Sequence, residues 1–558
     1  MAMPQSKVIA LVSVSSAPPD MTLFEWMESI FPVRFQSVRP GRWDGMDAAI
    51  FLGLEPSCPG LPSLQIPAAI APEVPAALAT VQFGQSAAVP KVFRGRAVRQ
   101  ENLICEGSLK TNNGDQIIAA LDGNPLWVAR EDGRGRTDFS AMSLPSAKKL
   151  RSLYQCFAAR DFMRLLPLVD FLRRLARENE WGNPGLRACF MFDDPNLHST
   201  GYGWIRYREL AQHASLRHYH ASIATIPLDS WFESKQAVGI FADNQARLSL
   251  LIHGNDHLHK ELASFSSDGQ RLASLAQALN RIARLEAKTS MEVSRVMAAP
   301  HGACSEETLR VMARLGFEAA CISHGALHNY NADRQWARNV GLGMSEFVAG
   351  LPVIPRFRLN RECQNAILLA AYLGQPIIPV GHHQELADGL DLLGELANFI
   401  NSLGEVRWLD MKGIARSNYQ TRTEGNLLQV RSFARVIDLR VAPGVTQVAI
   451  QRPKVAEEVE EGIRIRSPGQ AGQVFSKYAG QPFPVQPGAD LEITPFVQNQ
   501  VDPSSVRRPK LKIWPFARRI LTEGRDRLSP FACRLKGKVR QNGGPKIPGH
   551  PNPDGLRR

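Results

Sequence analysis

Two adjacent carboxylates, Asp193 and Asp194, close the apolar run Phe190-Met191-Phe192. A buried strand has no use for two charges at its end unless they act there. Farther along, His253 and His257 stand four apart in LLIHGNDHLHKEL. On a helical turn both imidazoles would leave one face, about one turn apart, and could grip one ion. Asp194 or Asp193, from a neighbouring strand end, would complete a set of two histidines and one carboxylate with positions left for water and substrate, which is a catalytic rather than a structural arrangement. The cofactor expected is a divalent metal, Zn2+ in first place. Two further strand ends carry polar groups: MAAPHG, with Pro300-His301-Gly302, and IIPVGHH, with His382 and His383. A lone HxxxH arises often by chance; its combination with a paired Asp and a last-strand His does so far less. His198 reads as a loop residue bonded locally, His259 as pointing away from the ligand face, and His213, His218 and His220 as packing or surface residues.

These segments need a scaffold that gathers strand ends. From 151 to 425, strand-like RACFMF, HASIATIP, ARLSLLIHG, RVMAAP, EAACIS and QPIIPVGHH alternate with helix-like DGQRLASLAQALNRIARLEAKT and SEETLRVMARLG. The reading is α/β, a β/α barrel whose chemistry lies at the C-terminal strand ends. A long amphipathic helical stretch over AKKLRSLYQCFAARDFMRLLPLVDFLRRLAREN, interrupted near Pro167, leads into it. Residues 1–150, with SKVIALVSV, MDAAIFLGL and TLFEWMESIF, read as a flavodoxin-like or amidotransferase-like α/β domain without a nucleotide-binding fingerprint. Cys58 and Cys105 read there as structural. Residues 426–500 alternate with period two and read as a β-sandwich or β-lid.

The 558 residues exceed the ~250 to 300 at which a single core stops growing, so several domains are expected. Hydrophobic residues at 44% and charged ones at 21% exclude a disordered chain. No apolar run reaches the ~20 residues of a membrane span. Eight scattered cysteines without CxxC spacing fit reduced thiols, and a cytoplasmic protein is expected. Residues 501–558 carry 15 Lys and Arg against 4 acids, which leaves +11 of the chain's +13 in a basic, partly disordered tail. Its patch LKIWPFARRIL could lie on an anionic membrane surface, placing the protein at the inner face of the membrane. Nucleic acid is not expected as a partner, because no recognisable module accompanies the charge.

In order and spacing, FMFDDP, HGNDH, PHG and VGHH resemble the polysaccharide deacetylases, over roughly residues 180 to 420. The resemblance implies a distorted β/α barrel, a metal-dependent hydrolase and an acetylated polysaccharide or oligosaccharide substrate, in exopolysaccharide or envelope glycan metabolism. It implies Asp193 as general base, Asp194, His253 and His257 as metal ligands, the backbone amide of His301 at the oxyanion, and His382 or His383 as the catalytic acid. The chain departs from the family pattern in several places. Pro195 follows the paired Asp in place of Gly, and His301 replaces an aromatic residue. Ala298 and Ala299 stand where the family has an Arg that orients the base, with Arg295 three residues upstream. Asp333 and Trp336 are the candidates for the pair that buttresses the acid His. The missing Arg favours an alternative, a catalytically inactive glycan-binding or assembly subunit on the same fold.

Overall fold

The computed structural model describes residues 6–13, 21–55, 60–67, 78–101, 103–105, 107–131, 133, 135–148, 150–176, 181–452, 460–467, 473–476, 480–497, 499–510 and 513–541. Cys58 lies outside these residues.

The central sheet is a mixed α/β element of nine strands, in the order Glu346–Val348, Leu351–Ile354, Ala319–Cys321, Val293–Ala298, Leu248–His253, Ala221–Thr225, Phe190–Asp193, Pro379–Gly381 and Phe357–Arg358. All neighbours are parallel except the first pair. Residues 355 and 356 alone join Leu351–Ile354, near one edge, to Phe357–Arg358 at the other. A link that short forces the sheet to curl until its two sides meet. The result is a curled half-barrel.

Strand alternation sorts the side chains. Cys189, Met191, Leu251, Val296, Ala298, Cys321 and Ile354 fill the inner face together with Met411 and Ile414 of the helix Met411–Arg416, which plugs one end. Phe190, Phe192, Leu250 and Ile252 face outward into the main core, against helices such as Asp268–Thr289. That core is continuous with the first 150 residues, where Phe93 stacks on Phe162 and meets Tyr372.

The N-terminal sheet also has nine strands. Val33–Ser37, Lys7–Ser13, Ala48–Leu52, Ser63–Ile66 and Arg136–Ser140 are parallel. Asn124–Glu131, Gln116–Leu121, Ala79–Phe83 and Ala97–Gln100 extend it antiparallel. The C-terminal part holds two four-stranded sheets that share one apolar cluster including Val430, Val448, Ile437 and Ile493. The hairpin Tyr419–Glu424 with Leu427–Ser432 straddles the expected boundary at 425.

One expectation fails here among the described residues. The long helix over 147–179 reduces to Leu166–Leu175 with Pro167 in its first turn, where a missing N–H costs nothing. Upstream of it the chain is largely irregular and buries Phe157, Phe162 and Leu165 in the main core. Of the basic tail, Ile513–Gln541 is a helix that packs on the barrel, and residues 542–558 lie outside the described residues. Its inward side carries Pro515, Arg519 and Asp526. Pro515 is compatible with the helix because it lies in the first turn.

Candidate metal and catalytic centre

Asp193 ends its strand on the inner face, below it Met191, and is 5% exposed. The next residue should point outward, but Asp194 takes φ 86, the left-handed region that non-glycine residues rarely occupy. That turn breaks the alternation and lets two consecutive carboxylates serve one centre. His257 at φ 53 and His301 at φ 56 are bent the same way. Three such residues around one point mark a place where the fold holds backbone strain for a purpose other than packing.

The pair His253 and His257 converges, but not on a helical turn. His253 ends Leu248–His253, and residues 254–258 form a loop. The loop is held from below by Glu261, whose buried carboxylate accepts from the amides of Asn255 (2.8 Å), Asp256 (3.1 Å) and Leu258 (3.1 Å). Burial pushes the Glu261 carboxyl up to about 7 even against these bonds. Gly254 is required: at φ +64 a Cβ would meet Pro300 Cγ at 2.7 Å.

Asp194 Oδ1 lies 3.5 Å from His253 Nε2 and 3.1 Å from His257 Nε2. One ligand atom from each of the three residues falls within 4.8 Å of the others. Nδ1 of His253 is 3.0 Å from the carbonyl of Ala298, so it donates there and leaves the Nε2 lone pair facing Asp194. Asp194 Oδ1 is buried and has no hydrogen-bond partner among the described residues. An orphaned carboxylate oxygen beside two imidazole nitrogens is a donor set that suits a divalent transition ion. Burial opposes ionisation of Asp194, but His253, His257 and Arg519 hold its carboxyl far below the usual range. Burial and the neighbouring His253 drive His257 down to about 3, keeping it neutral. For His253, burial works against the charged form while Asp193 and Asp194 raise it.

The arginine absent before Pro300 arrives from elsewhere. Arg356, at the seam where the sheet closes, donates through Nη1 to both oxygens of Asp193 (3.1 and 3.0 Å) and through Nη2 to the carbonyl of Ala299 (2.9 Å). Arg295 instead pairs with Glu286 at 2.6 Å. Asp333 and Trp336 are not buttresses either, since Asp333 is exposed and Trp336 stacks on His328.

His382 and His383 separate. His382 is 52% exposed, with Nε2 4.0 Å from Asp194 Oδ2. His383 is buried against Tyr202, its Nε2 3.8 Å from Asp526 Oδ1. A Cβ on Gly203 would meet its Nδ1 at 2.3 Å, so the ring is locked in place. His301 is exposed, with its ring 5.2 Å from those of His257 and His259. Burial, followed by His259 and His253, lowers it.

The helix Ile513–Gln541 forms one wall of this centre. Arg519, 5% exposed, donates to Asp229 (2.8 and 3.0 Å), to the carbonyl of Asp194 (2.8 Å) and to Tyr202 (3.3 Å). Arg518 donates to the carbonyl of His257 (2.5 Å). His198 is not a locally bonded loop residue, because its ring bridges the carbonyl of Asp229 (2.8 Å) and Glu523 on this helix (3.0 Å). Arg518 and Arg519 thus point at the barrel, and the expected membrane contact through this segment finds no support. Lys512 lies outside the described residues.

No family model matches the chain, and no curated protein matches it in sequence. Among solved structures, the carbohydrate deacetylase Agd3 aligns at 8% identity and TM-score 0.46, covering 88% of this chain and 99% of that one. A putative polysaccharide deacetylase from Mycobacterium smegmatis aligns at 14% identity and TM-score 0.31, over 43% and 92%. The chain resembles the polysaccharide deacetylases. A Streptococcus mutans CE4 esterase aligns at 11% identity and TM-score 0.23, over 42% and 89%. Among the described residues no helix is long and apolar enough to cross a membrane.

Proposed function

We propose that this chain is a metal-dependent hydrolase that removes acetyl groups from a glycan. The observation that carries the reading is the convergence of Asp194, His253 and His257 on one point beside Asp193, itself clamped by Arg356. A divalent ion, Zn2+ in first place, held by those three residues would polarise an acyl carbonyl and make water more acidic. Asp193 accepts the proton of the attacking water, and Arg356 holds its carboxylate in position. The backbone amide of His301 would face the oxyanion, as the likeness of the Pro300-His301-Gly302 turn implies. His382 donates a proton to the leaving amine or alkoxide, because it is open to solvent beside the centre, whereas His383 is buried and supports the wall.

The acetylated substrate, in exopolysaccharide or envelope glycan metabolism, comes from the likeness of the motifs to the deacetylases. Buried unpaired cysteines such as Cys189 and Cys321 fit a cytoplasmic setting. The parallel half of the first sheet fits a flavodoxin-like unit, and the paired C-terminal sheets fit a β-sandwich. The inactive-subunit alternative rested on the missing arginine, and Arg356 removes that support.

Elemental analysis of the purified chain, with acetate release from a panel of acetylated oligosaccharides, tests the reading. We expect one divalent ion per chain, lost on dialysis from the His253→Ala, His257→Ala double variant. Asp193→Asn should retain the ion and lose about 10²- to 10⁴-fold in acetate release. Equal metal in the double variant, or no acetate from the metal-loaded wild type, refutes it.

A further inference from the structure

Beside the candidate centre runs an open groove of about 1310 Å³, between the loop that follows His257 with the helix Asp268–Thr289 on one side and residues 501–510 and 513–516 on the other. It exceeds the ~300 to 1,000 Å³ of a small-molecule pocket and fits an oligomer better than a monomer. Leu228, Leu258, Phe265, Leu272, Val506 and Ile513 give it an apolar lining.

Its charges are one-sided. Asp256 is engaged by Arg281 at 2.6 Å, and Glu261 is taken up by three backbone amides. Arg507, Arg508 and Lys510 also line the groove; all three are exposed and have no partner among the described residues. Three unneutralised cations above an apolar floor call for a ligand with negative groups and apolar faces together. At the other end the groove reaches His259, whose ring touches that of His301, which in turn touches His257.

We infer that this groove binds a carboxylate-bearing stretch of a glycan, a run of uronic acid residues, and feeds the neighbouring chain segment to the centre. Pyranose rings present C–H faces to the floor, and the planar forks of Arg507 and Arg508 match carboxylates. The inference rests on the glycan reading above and narrows it to an acidic polymer.

The test is a binding titration of the full chain with hexagalacturonic acid, the neutral hexamer of N-acetylglucosamine, and phosphatidylglycerol-containing vesicles. The comparison variant is Arg507→Ser, Arg508→Ser, Lys510→Ser, whose exposed positions leave folding intact. Hexagalacturonate should bind more tightly than the neutral hexamer, and added salt should weaken it. The triple variant should lose about tenfold to a hundredfold. Acetate release from a small neutral acetylated probe should be unchanged in the variant. Equal binding of hexagalacturonate by wild type and variant, or no preference over the neutral hexamer, overturns the inference, as does binding to vesicles without binding to hexagalacturonate. A wild type that releases no acetate yet binds hexagalacturonate through the three cations leaves the groove standing and removes only the catalytic reading.

Discussion

Replacing Arg356 by Met removes the guanidinium that joins the two sides of the sheet and leaves the Asp193 carboxylate buried without its cation. The side chains are 7% and 6% exposed, and three hydrogen bonds of 2.9 to 3.1 Å are lost together. Breaking a buried pair from one side costs about 3 to 5 kcal/mol, because the stranded charge is neither solvated nor paired. At about 1 to 2 °C per kcal/mol for a chain of 558 residues, the unfolding midpoint should fall by roughly 3 to 10 °C. Removing both charges, as Asp193→Asn with Arg356→Met, should restore much of that loss, since neither group is then left alone. Thermal melts of the wild type, both single variants and the double variant provide the cycle, with metal content and acetate release read on the same samples. The single Arg variant should keep its metal, whose ligands it does not touch, and lose acetate release with Asp193 displaced. A double variant as unstable as Arg356→Met alone, or a single variant within about 1 kcal/mol of wild type, would refute the clamp.

Arg519→Leu strands Asp229 and frees the carbonyl of Asp194; it should cost about 3 to 5 kcal/mol and weaken metal retention, both readable by melting and elemental analysis, whereas a merely solvated tail residue would change neither. Gly203→Ala drives a Cβ into the His383 ring, so turnover should fall while metal content holds, checked by acetate release against elemental analysis. Docking of the C-terminal helix should depend on pH through the His198–Glu523 pair. Burial opposes the charged form of both groups. Even so, the Glu523 carboxyl is held down to about 2, chiefly by its bond from His198, and His198 is raised, chiefly by its bond to Glu523. The Glu contribution is present above 4.5 and lost toward 2, and the His contribution is present below 6.5 and lost as pH rises through its raised value. Protection of residues 513–530 from hydrogen exchange should therefore peak between those limits, and His198→Gln should flatten the alkaline side.

The strand ends were legible because burial on both faces leaves long apolar runs, in which Asp193, His253 and His382 stand out as interruptions. Arg356 was not, because what brings it to Asp193 is closure of the sheet, and no local pattern in VIPRFR encodes where two edges meet. The two imidazoles of HGNDH converge by a route other than the one read, since a strained loop over Glu261 and not helical spacing brings them together. Arg519 was hidden by its company. Within a run of cations, composition cannot mark the guanidinium that reaches a buried carboxylate on the barrel. The stretch before residue 180 misled through good helix formers, whose propensity yields where the main core buries its aromatics.

The contact between Arg519 and the Asp194 carbonyl spans 325 residues. At roughly 5 to 20 residues per second, a ribosome needs about 16 to 65 s to cross that interval, far longer than a helix or a hairpin takes to form. The strands bearing the ligands therefore emerge with Asp229 and the bent backbone of Asp194 still lacking their cation. Until residue 519 clears the exit tunnel, the nascent barrel has an open flank, and this wall is the last part of the centre to be built.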